Sequence, residues 1–324
     1  MAPLKRLFVF DFDWTLIDAD SDYFVFEHLN AELSKIQLNS IGKVQWTDLQ
    51  QRLLGELFDR GISREDIERT LSNISFAPER IEALKLMKEH DSDLYILSDA
   101  NTVYIETILK AYKIDHLFTG ILTNPASFNP QGRLNVARYH NLDKPPHQCP
   151  LPCEPNLCKG LELQKLIDSQ HYDQVIYMGD ASNDFCPSTR LLRERGDLVL
   201  ARQGLSLEQR IKERPELVQA EIVYWQDAKD VLEVTRDIFF GRDRLSGAVT
   251  AAGAGVVLIS SAASSTTSLS TMVEPTVTSS STSSSASSVV DSPIDDQVEP
   301  SSSVKVLSAV ESSDSKMFVQ AVKA

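Results

Sequence analysis

Short unbroken apolar runs recur along the first three quarters of the chain, and three of the clearest end on acidic or hydroxyl residues. Residues 7–10 run into Asp11 and Asp13, residues 94–97 into Ser98 and Asp99, and residues 175–178 into Gly179 and Asp180. Residues 198–200 form a fourth run and residues 120–123 a fifth. Apolar runs without polar alternation predict strands buried on both faces. Between them the apolar positions recur every three or four residues. Pro78 opens such a stretch to Glu89, with Ile81, Leu84 and Met87 along it. Residues 103–111, 160–169 and 184–195 are predicted as further helices. Strands alternating with helices predict an α/β fold: a Rossmann-like parallel sheet with helices on both faces.

Residues 20–75 break the alternation. They hold no convincing buried strand, and residues 24–33, 46–58 and 63–72 read as helices, the last opened by a capping-box pattern at Ser63 and Asp66. The pattern predicts a small helical cap (about 20–75) inserted after the first strand of a core made of residues 1–19 and 76–245. Near Gly247 the composition shifts to Ser, Thr, Ala and Val, with Phe318 as the sole aromatic residue. Such a segment buries too little apolar surface to offset backbone entropy of roughly 1–2 kcal/mol per residue. Residues 246–324 are therefore expected to be a Ser-rich disordered tail, more simply a neutral extension than a phosphorylated or partner-binding arm.

Charge narrows the function. Lys and Arg number 32 against 46 Asp and Glu, a net charge of −14, which argues against nucleic acid as the partner. Acids interrupt the N-terminal apolar run, so it does not read as a secretory signal. Residues 247–263 fall short of a membrane span. A cytoplasmic location without membrane attachment is the expectation.

In an open parallel sheet, ligands bind beyond the carboxyl ends of the strands. Asp11, Asp13 and Asp180 would converge there, and converging carboxylates call for a cation; an oxygen-rich set suits Mg²⁺. Asp11 and Asp13, one residue apart past a buried strand, allow one carboxylate to attack an electrophile while the other manages a proton. A carboxylate nucleophile suits phosphoryl transfer through an aspartyl phosphate. Ser98 reads either as the cap of the next helix or as an anion contact. Lys159 by itself is as consistent with a surface lysine. Residues 179–184 read as a turn in which Ser182 or Asn183 caps a helix, or as a loop aiming Asp180 and Asp184 at the metal region.

Taken in order, Asp11-Phe-Asp-Trp-Thr15, Leu97-Ser98-Asp99, Lys159 and Gly179-Asp180 with Asn183-Asp184 resemble the four motifs of haloacid dehalogenase-like phosphohydrolases. Ser21-Asp22, Ser98-Asp-Ala-Asn-Thr102, Asn156-Leu-Cys-Lys159 and Asn183-Asp-Phe-Cys-Pro187 resemble, more narrowly, the phosphoethanolamine/phosphocholine phosphatases. The resemblance implies Asp11 as nucleophile and Asp13 as general acid/base. It implies Mg²⁺ on Asp11, the carbonyl of Asp13, and Asp180, with Asp184 supporting the metal or orienting Lys159. Thr15, Ser98 and Lys159 would bind the phosphoryl group. Asp22 and Asp99 would face the amine end of a small phosphorylated metabolite, with Tyr23, Phe24 or Trp46 adding an aromatic face. Relatives of this kind are also associated with pyridoxal phosphate, thiamine monophosphate and pyrophosphate. A phosphomutase, or a non-catalytic scaffold working through the tail, are the alternatives of other classes. Ala181 departs from the glycine usual at its position, so either Ala is tolerated there or the metal loop is slightly displaced.

Cys149, Cys153 and Cys158 lie close together with His140 and His147 nearby, and Cys186 is far off in sequence. A zinc clip is conceivable, but spacings of three and four residues do not form paired CxxC motifs. The cysteines are expected to be reduced thiols of a stiff, Pro-rich loop.

Overall fold

The computed structural model describes residues 4–140, 147–241 and 256–258. Seven parallel strands form the central sheet: β1 (Arg6–Phe10), β2 (Asp93–Asn101), β3 (Gly120–Asn124), β6 (Gln174–Gly179), β7 (Leu198–Arg202), β8 (Glu221–Trp225) and β9 (Val256–Leu258). A separate antiparallel hairpin, β4 (Ala126–Phe128) and β5 (Leu134–Val136), follows β3. The sheet order is β3-β2-β1-β6-β7-β8-β9. From β1 the chain winds one way through β2 and β3, then returns and winds the other way from β6. The crevice between the ends of β1 and β6 is thus the topological switch point, where an open α/β sheet receives its ligands.

Side-chain alternation on β1 divides the core. Phe8 and Phe10 enter a cluster with Leu84, Met87, Val231 and Val234, from α5 (Pro78–Glu89) and α10 (Ala228–Phe240). Leu7 and Val9 point the other way, into a cluster with Leu163 of α7 (Lys159–Ser169) and Leu207 and Ile211 of α9 (Ser206–Glu213). A strand sealed on both faces has no solvent side, which is why its sequence shows an unbroken apolar run.

The cap consists of α1 (Ser21–Leu29), α2 (Ala31–Asn39), α3 (Trp46–Asp59) and α4 (Arg64–Ser72). The single helix expected over 24–33 is two. Asn30 ends α1 in extended conformation, and its side chain accepts from Leu33 N to cap α2. The Ser63–Asp66 capping box forms as expected. The hairpin closes onto the cap through Gln51, whose Oε1 accepts from Val136 N at 2.6 Å.

Three expectations change. The helix expected over 184–195 shrinks to α8 (Phe185–Ser188), flanked by single 3-10 turns. The cause is Asp197, fully buried, whose carboxylate accepts from Val175 N and Leu192 N, both at 2.8 Å, and from Arg195. Strand β8, helices α9 and α10 and the hairpin add elements the pattern did not mark. In the segment read as a disordered tail, residues 256–258 instead pair with β8, whose open edge accepts a β-prone Val-Val-Leu triplet. The rest of that segment, like Pro145 and Pro146, lies outside the described residues. Among the described residues no helix is long and apolar enough to cross a membrane.

Replacing Asp197 with Ala would strand two buried amides and a guanidinium. The expected loss is about 2–4 kcal/mol of stability in urea unfolding. An unchanged midpoint would show that residues 189–197 are held by something else.

Candidate active site

Asp11 and Asp180 are delivered to the crevice by paired strands. Phe10 and Met178 are register partners, and Asp11 N donates to Met178 O at 2.9 Å, locking the two strand ends together. Asp11, Asp180 and Asp184 are all buried, with a carboxylate oxygen from each within 4.8 Å of the others. Lys159, first residue of α7 and itself buried, lies 2.8 Å from Asp11 Oδ1 and 2.8 Å from Asp184 Oδ1. Lys159 is therefore no surface lysine.

Asp184 is the organiser. Its Oδ1 accepts from Lys159 and from the Tyr177 hydroxyl (2.6 Å), and its Oδ2 from the amides of Asp180 and Ala181 (3.0 Å each). A carboxylate so occupied pairs with Lys159 and holds the loop amides. The loop explains Ala181 as well. Ala181 sits at φ −105° and ψ 170°, extended backbone open to any residue, so no displacement follows. The steric demand falls on Gly179, where a Cβ would lie 2.5 Å from Asp184 Cγ.

Thr15, expected at the phosphate, spends its hydroxyl hydrogen on Asp180 Oδ1 at 2.9 Å. Trp14 takes the left-handed conformation (φ 55°), strained for a bulky residue, and its carbonyl accepts from Arg202, which also pairs with Asp18 at 2.8 Å. On β2, the five residues from Leu97 to Asn101 lie opposite the three from Leu122 to Asn124 on β3, a bulge that carries Ser98 and Asp99. Ser98 is fully buried, its Oγ accepting from Ala100 N. Asn101, not Ser98, caps α6 (Thr102–Ala111). Asp99 accepts from Asn183 Nδ2 at 3.1 Å.

The two oxygens of Asp13 accept from Ser21 N (2.9 Å) and Ser21 Oγ (3.1 Å), which ties the first turn of α1 to the core. The next residue, Asp22, is buried and accepts from Trp46 Nε1 at 2.7 Å. Tyr23 packs on Trp46 with ring centroids 5.4 Å apart. Phe24 instead stacks on His28 and is directed elsewhere. Sequence reasoning missed Asp20, which caps α1 through Tyr23 N. It also missed Tyr177, which reads only as part of a strand. The one available signal for Asp20 was the alternation Asp18-Ala-Asp20-Ser-Asp22.

The electrostatics follow from crowding. Burial raises the carboxyls of Asp11 and Asp180 well above the usual range; Lys159 opposes the shift in both, while Asp184 and Asp99 add to it at Asp11, and Asp11 and Asp184 add to it at Asp180. Burial likewise raises Asp13, with repulsion from Asp20 and relief from Ser21. Asp20 and Asp22 are raised by burial and by neighbouring carboxylates. Lys159 ends above its ordinary value because Asp11, Asp184 and Asp99 together outweigh its burial. One ammonium among three buried carboxylates leaves a charge deficit. The donors are all oxygen, so they fit a hard divalent cation.

A carboxylate pair at the first strand end, a buried lysine and an acidic loop at the switch point define a haloacid dehalogenase-like phosphatase, a phosphoric monoester hydrolase. Residues 6–238 match the Putative Phosphatase family, and the chain belongs to it. It is 38% identical over 230 residues to a thiamine phosphate phosphatase-like protein of Arabidopsis thaliana, covering 70% of this chain and 92% of that one. Identity is 37% over 234 residues to inorganic pyrophosphatase 2 of Arabidopsis thaliana (71% and 82% covered). It is 32% over 240 residues to human pyridoxal phosphate phosphatase PHOSPHO2 (71% and 96% covered).

Gly179→Ala should drive Asp184 off Lys159 and lower kcat on p-nitrophenyl phosphate about 100-fold, the cost of an ångström-scale misplacement. Ala181→Gly should stay within about threefold, under 1 kcal/mol. Equal effects would reject this division between the two positions.

Proposed function

We propose that the chain hydrolyses a small phosphomonoester whose alcohol part carries a positive charge, using Mg²⁺ and an aspartyl-phosphate intermediate. The convergence of Asp11, Asp180 and Asp184 around Lys159 carries the reading. Asp11 attacks phosphorus. The Asp13 carboxyl, held above its usual range by burial and Asp20, gives its proton to the departing oxygen. It then takes a proton from the water that opens the phosphoaspartate. Lys159 and Ser98 receive the phosphoryl oxygens. Asp11, Asp180 and the carbonyl of Asp13 would hold the Mg²⁺, which supplies positive charge against the phosphoryl oxygens.

The acids beside Asp13 support a positive charge at the substrate's far end. Asp22, Asp20 and Asp99 surround the approach to Asp13, and Trp46 and Tyr23 supply rings beside Asp22. Ammonium or aromatic cations suit anions and π faces. Phosphocholine, phosphoethanolamine and thiamine monophosphate meet that description. The second phosphate of pyrophosphate would meet repulsion from the same carboxylates. Pyridoxal phosphate, the substrate in one relative's name, is favoured less because its aldehyde form is not a fixed cation.

A panel of phosphate esters assayed with and without Mg²⁺ in ¹⁸O-labelled water tests the reaction. Phosphate release should require the metal and place solvent oxygen in the product. Asp11→Asn should abolish release with the far-UV circular dichroism unchanged. Retained turnover in that variant, or transfer to a sugar without solvent label, would overturn the reading.

Asp22 tests the specificity. Because its carboxyl is raised, it is uncharged at acid pH and gains its charge as pH climbs. The ratio of KM for phosphocholine to KM for p-nitrophenyl phosphate should therefore fall with rising pH, since the phosphate's own ionisation cancels. Asp22→Ala should raise that ratio about tenfold, near 1.4 kcal/mol, and flatten the pH trend. An equal rise for both esters would remove the head-group role.

A further inference from the structure

A second cluster of metal-ligating side chains lies outside the carboxylate site. Cys149, Cys153, Cys158 and Cys186 bring their sulfurs together, all within 4.8 Å of one another. Cys186, remote in sequence from the other three, is the fourth member. The Sγ–Sγ separations are 3.5 Å for Cys149 and Cys186, 3.7 Å for Cys153 and Cys149, and 3.8 Å for Cys158 and Cys186. None is a disulfide, which requires about 2.05 Å. Four sulfurs around one ion at Zn–S of about 2.3 Å form a tetrahedron with edges of about 3.8 Å. Thiols merely packed together gain little from one another, since S–H is a weak donor.

The surroundings are built for this approach. Cys158 and Cys186 are buried, and Cys149 and Cys153 are half-buried. Gly160, the second residue of α7, faces Cys186: a Cβ there would lie 2.3 Å from its Sγ and 3.0 Å from its backbone. The absence of a side chain at 160 lets α8 bring its sulfur to the cluster. His147 is not part of the set. Its Nε2 pairs with the Glu154 carbonyl and its Nδ1 accepts from Cys149 N, so the imidazole braces the loop that carries three of the thiols.

We propose that these four cysteines bind one structural Zn²⁺ as a closed tetrahedral thiolate site. Sulfur-only donors in tetrahedral array select zinc over hard cations, just as the oxygen-only carboxylates select the reverse. The site ties two segments that each carry active-site residues. Cys158 immediately precedes Lys159, and Cys186 lies two residues beyond Asp184. A single ion holding both segments fixes the spacing of the Lys159–Asp184 pair, whose Nζ–Oδ1 distance is 2.8 Å. The zinc is thus a positioning element for the lysine rather than a participant in hydrolysis.

Elemental analysis of the full-length protein, purified through EDTA and exchanged into metal-free buffer, tests this directly. About one zinc per chain should remain, and the thiols should resist Ellman's reagent until a mercurial releases the metal. Cys153→Ser and Cys186→Ser should each reduce zinc to below about 0.2 per chain and lower Tm. Asp180→Asn should keep its full zinc, which separates this site from the carboxylate site and from the phosphatase reading. Should the cysteine variants fail to fold, cobalt exchanged into the wild-type protein should give the intense visible bands of a tetrahedral thiolate complex. Zinc-free protein with four freely titrating thiols would overturn the proposal. So would a disulfide between any two of them, or iron in place of zinc.

Discussion

Too many carboxylates share one edge of the sheet, and the organisation of the site follows from that excess. Asp11, Asp180 and Asp184 converge in a buried crevice where Lys159 is within ion-pair distance of two of them. Leaving a buried charge unpaired costs several kcal/mol, so such a cluster persists only if each group is held by donors or by a cation. Asp184 is held by donors on both oxygens, from Lys159, Tyr177 and two loop amides. Thr15 steadies Asp180. What remains is the Asp11–Asp180 face, where one ammonium stands against two buried carboxylates, an all-oxygen set with the chemistry to take a hard divalent ion.

Core and cap divide the labour, and one residue joins them. Ser21 opens α1 and donates twice to Asp13. The next residue, Asp22, is held by Trp46 from α3. Asp13 of the core and the Asp22 carboxylate of the cap are therefore linked through adjacent residues of a single helical turn. Movement of the cap would disturb both. Trp14, strained and anchored through its carbonyl by Arg202, fixes the loop between nucleophile and cap from the other side.

Two clusters with opposite ligand chemistry flank the same lysine. The carboxylates offer only oxygen and the cysteines only sulfur. Lys159 begins a helix whose preceding residue belongs to the second cluster, while its ammonium serves the first. Covalent continuity makes a rigid Cys158 a rigid Lys159. That arrangement accounts for the position of a Pro- and Cys-rich loop directly before an active-site residue.

Much of this was legible along the chain because burial on both faces leaves an unbroken apolar signature. The runs at 7–10, 94–97 and 175–178 announced β1, β2 and β6, and of the residues closing them Asp11 and Asp180 converge, joined by Asp184. Parallel pairing makes strand ends coincide, so local sequence was enough to nominate Asp11, Asp13, Ser98, Asp99 and Asp180. The positions that depend on partners distant in sequence were not legible. The helix expected through 195 is cut short by Asp197, a residue whose influence arises only when β6 lies beside it. The glycine that matters is Gly179 rather than the one missing at 181, because the conflict is with the Asp184 side chain, which folds back from further along the loop. Cys186 joined its three partners only when α8 packed against Gly160. Sequence determined which chemistry the strand ends carry, since hydrophobic runs and their polar termini are local properties. Tertiary structure decided which side chains spend their hydrogen bonds on one another and which stay available, since that depends on through-space distances no spacing encodes.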